Sequence, residues 1–216
     1  MTTCDRQSGF TLLEVIVVLG VLGILLGTAV PLASAVVVAD RRMEAQKELD
    51  AIAVALESYY FENAAFPVSL TATGFVGVHL QPGPRNTVTI DPFAPNQTYI
   101  YARDPATNSA TVHSVGEDGR NRGFANEELA VRVHASVPGT RRTWMRLRVA
   151  VEVLANHLEA GGSVAGSWPT VRAAIGLGAT YDRDGFGTVL NWNETTHTLT
   201  SAGPDLAFGT ADDITI

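Results

Sequence analysis

From Phe10 to Ala39 the chain runs for thirty residues with a single formal charge, Glu14. As a helix rising 1.5 Å per residue, this run is long enough to cross a bilayer core of about 30 Å. Nothing else in the sequence restricts the fold as strongly. A carboxylate at the centre of a spanning helix costs about 2.5–3.5 kcal/mol unless it finds a partner, so Glu14 calls for one. The Gly9-Phe10 junction offers it. A cut there would expose an α-amino group within a helical turn of such a carboxylate, on the same chain or on a neighbour.

The string from Gly9 to Glu14, G-F-T-L-L-E, resembles the start of type IV prepilins and pseudopilins. The resemblance implies that residues 1–9 are a leader removed by a prepilin peptidase and that Phe10 is the methylated mature N-terminus. It further implies that Glu14 pairs with the N-terminus of a neighbouring subunit, that Pro31 is the family's helix-kinking proline and that Gly23 marks a point where filament helices loosen. An ordinary signal anchor would not need this string. A secretory signal peptide would carry a shorter apolar run and more basic charge than Arg6 alone. Arg41, Arg42 and Lys47 on the far side of the run favour the opposite orientation by the positive-inside rule, against the orientation that the leader motif implies.

The net charge of −7 provides no basic footprint, so nucleic acid is not an expected partner. The single cysteine, Cys4, falls in the expected leader and leaves no thiol for a disulfide. A small exported domain without that staple often uses a bound metal.

After Ala39 the helical period continues with charges added. Leu49, Ala53, Leu56 and Tyr60 form a stripe with Ile52 beside it, ending at Asn63–Pro67. Residues 70 to 90 read as a linker rich in Gly, Pro and Thr. A turn follows at 91–96, D-P-F-A-P-N, then a hairpin of Thr98–Arg103 and Ala110–Ser114. The S-V-G-E-D-G loop begins at Ser114. This order is similar to the head of the major pseudopilin of type II secretion systems.

The second half repeats it. Trp144, Leu147, Val151, Leu154 and Leu158 form a second stripe, Trp168-Pro169 stands for Phe66-Pro67, and Asp184-Gly185-Phe186 for Asp91-Pro92-Phe93. A hairpin of Thr188–Asn193 and Thr196–Ser201 leads to S-A-G-P-D at 201–205, answering S-V-G-E-D at 114–118. The expected fold is α+β, with one partly transmembrane helix bearing two tandem heads, each a helix on a small antiparallel sheet. The divisions expected are a leader at 1–9, a membrane and filament-core helix at 10–39, a first head at 40–135, a linker at 136–140 and a second head at 141–216.

Asp205, Asp212 and Asp213 gather on a terminal loop with Gly203 and Gly209. Oxygen ligands on a flexible backbone suit Ca²⁺, and in the major pseudopilins that this segment resembles the matching loop binds calcium. The weaker counterpart in the first head is Asp118, Glu127 and Glu128, with Arg120 and Arg122 between them. Asp182-Arg183-Asp184-Gly185 lacks the acids that an EF-hand needs next and reads as a turn. The histidines 79, 113, 134, 157 and 197 match no metal or catalytic spacing, and no enzyme is expected.

The expected role is a structural subunit of a type II secretion pseudopilus or related type IV filament. It would sit in the bacterial inner membrane with its heads in the periplasm or on an extracellular filament. Its partners would be copies of itself or mixed pseudopilus subunits, the prepilin peptidase, and an assembly ATPase with its platform protein. A type IV pilin and a DNA-uptake pseudopilin are alternatives within this class, and a membrane-anchored binding module that never polymerises is the alternative outside it.

Overall fold

The structure, a computed structural model, describes residues 11–82, 89–126 and 129–216, except for the side chains of residues 28–31 and 126. The chain divides into two units, one reaching to Glu44 and one spanning Ala45–Ile216.

Helix α1, Leu12–Asn63, runs unbroken for 52 residues. Its sequence is dominated by Leu, Ala and Val with no breaker after Pro31, so nothing stops it before Asn63. There Ala64 turns into the left-handed region at φ 53° while its N–H donates to Tyr60 O at 2.8 Å. Pro67 then prevents the helix from resuming. In the second unit the expected stripe is buried at Leu49, Ile52, Leu56 and Tyr60, with Ala53 partly so. Residues 70–80 are not a linker. Leu70, Phe75 and Leu80 are buried in the core through tight turns closed by Phe75 N–H to Ala72 O and Leu80 N–H to Phe75 O.

Two three-stranded antiparallel sheets follow, built alike. Strands β1 (Ile100–Asp104), β2 (Ser109–His113) and β3 (Ala130–His134) pair in the order β1-β2-β3. Strands β4 (Asn191–Asn193), β5 (Thr198–Ser201) and β6 (Ile214–Thr215) pair in the order β4-β5-β6. Their hairpins turn by the same device. The Asp104 carboxylate accepts from Ala106 N–H at 2.9 Å, and the Asn193 side-chain oxygen accepts from Thr195 N–H at 3.0 Å. The residues re-entering the second strands, Asn108 and His197, both have positive φ, 44° and 54°. Neither outer strand, β3 nor β6, is foreseen from the sequence, because runs of five and two residues are too short to show a period.

Helix α2 covers Ser136–Glu159 and a short helix α3 covers Trp168–Ala174. The expected linker at 136–140 is therefore the first turn of α2, with Pro138 and Gly139 buried. Proline suits this position because the first helical N–H groups have no intrahelical acceptor to lose. Trp168-Pro169 does not end a helix as Phe66-Pro67 follows one; it opens α3. Of the second stripe, Leu147 and Leu154 are buried while Trp144 is 45% exposed.

One core serves residues 45–216. It takes Leu49 and Leu56 from α1, Val112 and Val133 from the first sheet, Leu147 from α2, Trp168 and Val171 from α3, and Leu199 and Ile214 from the second sheet. Small domains bury a lower fraction of their surface than larger ones. Sharing a core thus gives two disulfide-free halves what neither would have separately.

Candidate functional site

Glu14 lies in the first turn of α1, where its backbone N–H donates to Thr11 Oγ1 at 3.3 Å. Thr11 is thus the helix N-cap and Glu14 the third helical residue, the T-x-x-E spacing of a capping box. Its negative charge also suits the positive end of the helix dipole. The sequence carries this capping signal, although the leader motif overshadows it. Among the described residues Glu14 makes no ion pair and is exposed. Gly9 and Phe10, the expected processing site, lie outside the described residues. Pro31 falls within the span of α1, and its side chain lies outside them.

The apolar half of α1 has a mean hydropathy of 2.6 over an 18-residue window, none of it buried. Leu12, Leu13, Ile16, Leu19, Ile24 and Leu26 all stand uncovered. Exposing that much apolar surface to water is costly. The helix therefore needs lipid or other helices around it.

The terminal loop is tied by its own acids. The Asp212 carboxylate accepts from Asp205 N–H at 3.0 Å and from Thr210 Oγ1 at 2.6 Å, and Asp213 accepts from Gly209 N–H at 2.8 Å. The Thr210 hydroxyl, followed by the Asp205 N–H, holds the Asp212 carboxyl below the usual carboxylate range. Asp205 accepts from Ala207 N–H at 2.9 Å. Among the described residues no three His, Cys, Asp or Glu side chains converge as a metal cluster. The Asp213 Oδ1 atom, however, is buried without a hydrogen-bond partner, and a buried carboxylate oxygen without a donor is a group that a cation would satisfy. Asp205 and Asp212 are thus engaged in shaping the loop, and Asp213 is the acid whose buried oxygen a cation could meet.

In the first half Asp118 forms an ion pair with Arg122 and accepts from Arg120 N–H at 3.0 Å. Those bonds, the Arg120 N–H foremost, lower its pKa. Glu127 and Glu128 lie outside the described residues.

His113 and His79 each make local contacts. His113 Nε2 is 3.1 Å from Asn121 Oδ1 in its own loop, and its Nδ1 is buried without a partner. His79 bonds Ser58 Oγ through Nδ1 at 2.9 Å and faces Glu62 at 3.6 Å through Nε2. This trio is invisible to sequence spacing because it joins residues 21 apart. It fastens the 75–80 turn to α1.

The structure singles out two buried carboxylates that the sequence marked only as turns. Asp91 accepts from Ser114 Oγ at 2.9 Å, Val115 N–H at 2.8 Å and Phe93 N–H at 2.9 Å. Asp184 accepts from Ser201 Oγ at 2.7 Å, Phe186 N–H at 2.9 Å and Thr188 N–H at 2.8 Å. Each serine in turn accepts from a glycine N–H two residues on, Gly116 at 3.0 Å and Gly203 at 3.1 Å. Both glycines have positive φ, 65° and 69°, which explains the glycine in each S-x-G. The D-x-F turn and the S-x-G loop are thus two parts of one latch, made twice.

Residues 4–30 match the family described as the prokaryotic N-terminal methylation motif. The chain is also similar to the type II secretion system core protein G of Pseudomonas aeruginosa, 30% identical over 134 residues that cover 56% of this chain and 92% of that protein. No solved structure matches. Nearly all of the relative is therefore matched within little more than half of this chain, and the rest is additional. The capped, uncovered apolar helix, the methylation motif across it and the match over almost the whole of core protein G agree, and the chain belongs to the type IV pilin-like pseudopilins, a family of structural subunits and not of enzymes.

Proposed function

We propose that this chain is a subunit of a type II secretion pseudopilus or a closely related type IV filament. The observation that carries the proposal is Glu14, capped at the start of a 52-residue helix whose first half is uncovered and apolar. In this reading a prepilin peptidase cuts between Gly9 and Phe10, and the helix is held in the bacterial inner membrane with residues 45–216 on the periplasmic side. An assembly ATPase and its platform protein then add the subunit to the filament. Glu14 sets the register, because an ionised carboxylate in hydrocarbon is stabilised only where a neighbour's α-amino group meets it.

Substituting Glu14→Ala tests this. Membrane insertion should persist while incorporation into filaments, read by shearing and immunoblotting, is lost. Undiminished incorporation would refute the role given to Glu14, and a wild-type chain that never leaves the membrane would favour a non-polymerising anchored module.

Two further readings belong here. The matching sheets, hairpins and latches support a duplicated head in which the two copies have merged into one core. The partnerless Asp213 Oδ1 supports a calcium ion on the terminal loop. Calcium should raise the melting temperature of the protein and a chelator should lower it, with no change on chelation counting against the ion.

A further inference from the structure

The outer face of α2 and the terminal loop each expose apolar side chains beside charges, of opposite sign on the two surfaces. The first sixteen residues of α2, Ser136–Val151, hold four arginines and no acid. Val137, Trp144 and Met145 stand out from this segment at 67%, 45% and 55% exposure, with Arg141 and Arg148 exposed among them. Conversely, Asn191–Ile216 contains neither lysine nor arginine, and Asp205, Asp212 and Asp213 sit in its loop. Leu206 and Phe208, each 45% exposed, form the tips of that loop.

The tips are held out by structure. Leu206 has φ 61°, a left-handed conformation that a leucine adopts only under constraint. The constraint comes from the bonds of Asp205 and Gly209 to Asp212 and Asp213 and from Leu206 N–H to Gly203 O at 3.3 Å. A rigid apolar tip loses little conformational freedom on binding.

We infer that the α2 face of one copy receives the terminal loop of a second copy, with Leu206 and Phe208 against Val137, Trp144 and Met145 and the exposed Asp205 facing Arg141 and Arg148. Tryptophan, methionine and arginine are the residues enriched at protein interfaces, and opposed charge fixes the orientation of docking. Two different patches meeting head to tail make a heterologous contact, which propagates as an open helix where its rotation does not close. A lipid surface would use the basic face and leave the acidic tips without a role. The inference rests on the self-association proposed above and names the head surfaces that carry it.

The test uses the full chain in membranes of cells that assemble it, with Cys4→Ser to remove the native thiol. One tagged copy carries Met145→Cys and a differently tagged copy carries Phe208→Cys. Under mild oxidation the mixed pair should crosslink and either variant alone should not. Arg148→Glu should remove the crosslink, and adding Asp205→Arg should restore it. Filaments that form without the mixed crosslink would overturn the inference and leave the pseudopilus reading intact. A mixed crosslink without filaments would uphold the contact and sink that reading, while absence of both would sink both. Protection of the introduced Cys at 145 from a water-soluble thiol reagent by lipid alone, with no crosslink, would assign the face to the membrane and overturn the contact.

Discussion

Replacing Asp184 by alanine removes the acceptor for three donors at once: the buried Ser201 hydroxyl and Phe186 N–H and the half-buried Thr188 N–H. Each stranded donor costs about 1–3 kcal/mol, and since neighbouring losses relax together the total should be about 3–5 kcal/mol. That is a large part of the roughly 5–15 kcal/mol that holds a domain folded. At about 2–4 °C per kcal/mol for this size, the melting temperature should fall by about 10 °C. The assay is intrinsic fluorescence of the full chain in detergent. Trp144, Trp168 and Trp192 all lie in the second half, so their signal reports that half directly. Asp91→Ala makes the matching lesion in the first half, where there is no tryptophan. Because one core joins residues 45–216, Asp91→Ala should lower the same tryptophan transition by a similar amount. If Asp184→Ala moves the transition by less than about 3 °C, the latch argument fails. If Asp91→Ala leaves the tryptophan transition in place while Asp184→Ala lowers it, the halves unfold separately and the shared core is energetically unimportant.

Further outcomes follow from the same contacts. A Cβ on Gly185 would meet Gly139 O at 1.9 Å, so Gly185→Ala should cost at least about 2 kcal/mol by overpacking. Gly178→Ala, whose Cβ meets only Thr180 Oγ1 at 3.9 Å, should stay within about 0.5 kcal/mol of the parent protein in the same melt. The depressed pKa of Asp212 gives the terminal loop a contribution that is complete above the unfolded carboxylate value of about 3.9 and is lost as pH falls through the lower folded value. The protection of the Asp205 amide, taken relative to its intrinsic exchange rate, should therefore fall below about pH 4, and Asp212→Asn should remove that pH response.

The apolar run, the end of α1 and both hairpins were legible because each follows from a local rule: hydropathy, the proline restriction and alternation with turn residues. The D-x-F and S-x-G repeats were legible as strings, and so was the α+β class. That Asp91 bonds Ser114, and Asp184 bonds Ser201, was not legible, since 23 and 17 residues separate the partners and only folding brings them together. The linkers expected at 136–140 and over the described residues 70–80 failed for a related reason. Glycine and proline mark a turn or a helix start as readily as a flexible join, and burial of Leu70, Phe75, Pro138 and Gly139 decides between these.

By itself the sequence determined that a long apolar helix with one acid must find cover from water. Only the tertiary structure decided how the rest is divided. The apolar stripes of α1 and α2 state that each helix must be covered, but not by what. Burial is non-directional, so two similar halves could have closed separately or together, and the larger common core leaves less apolar surface in water.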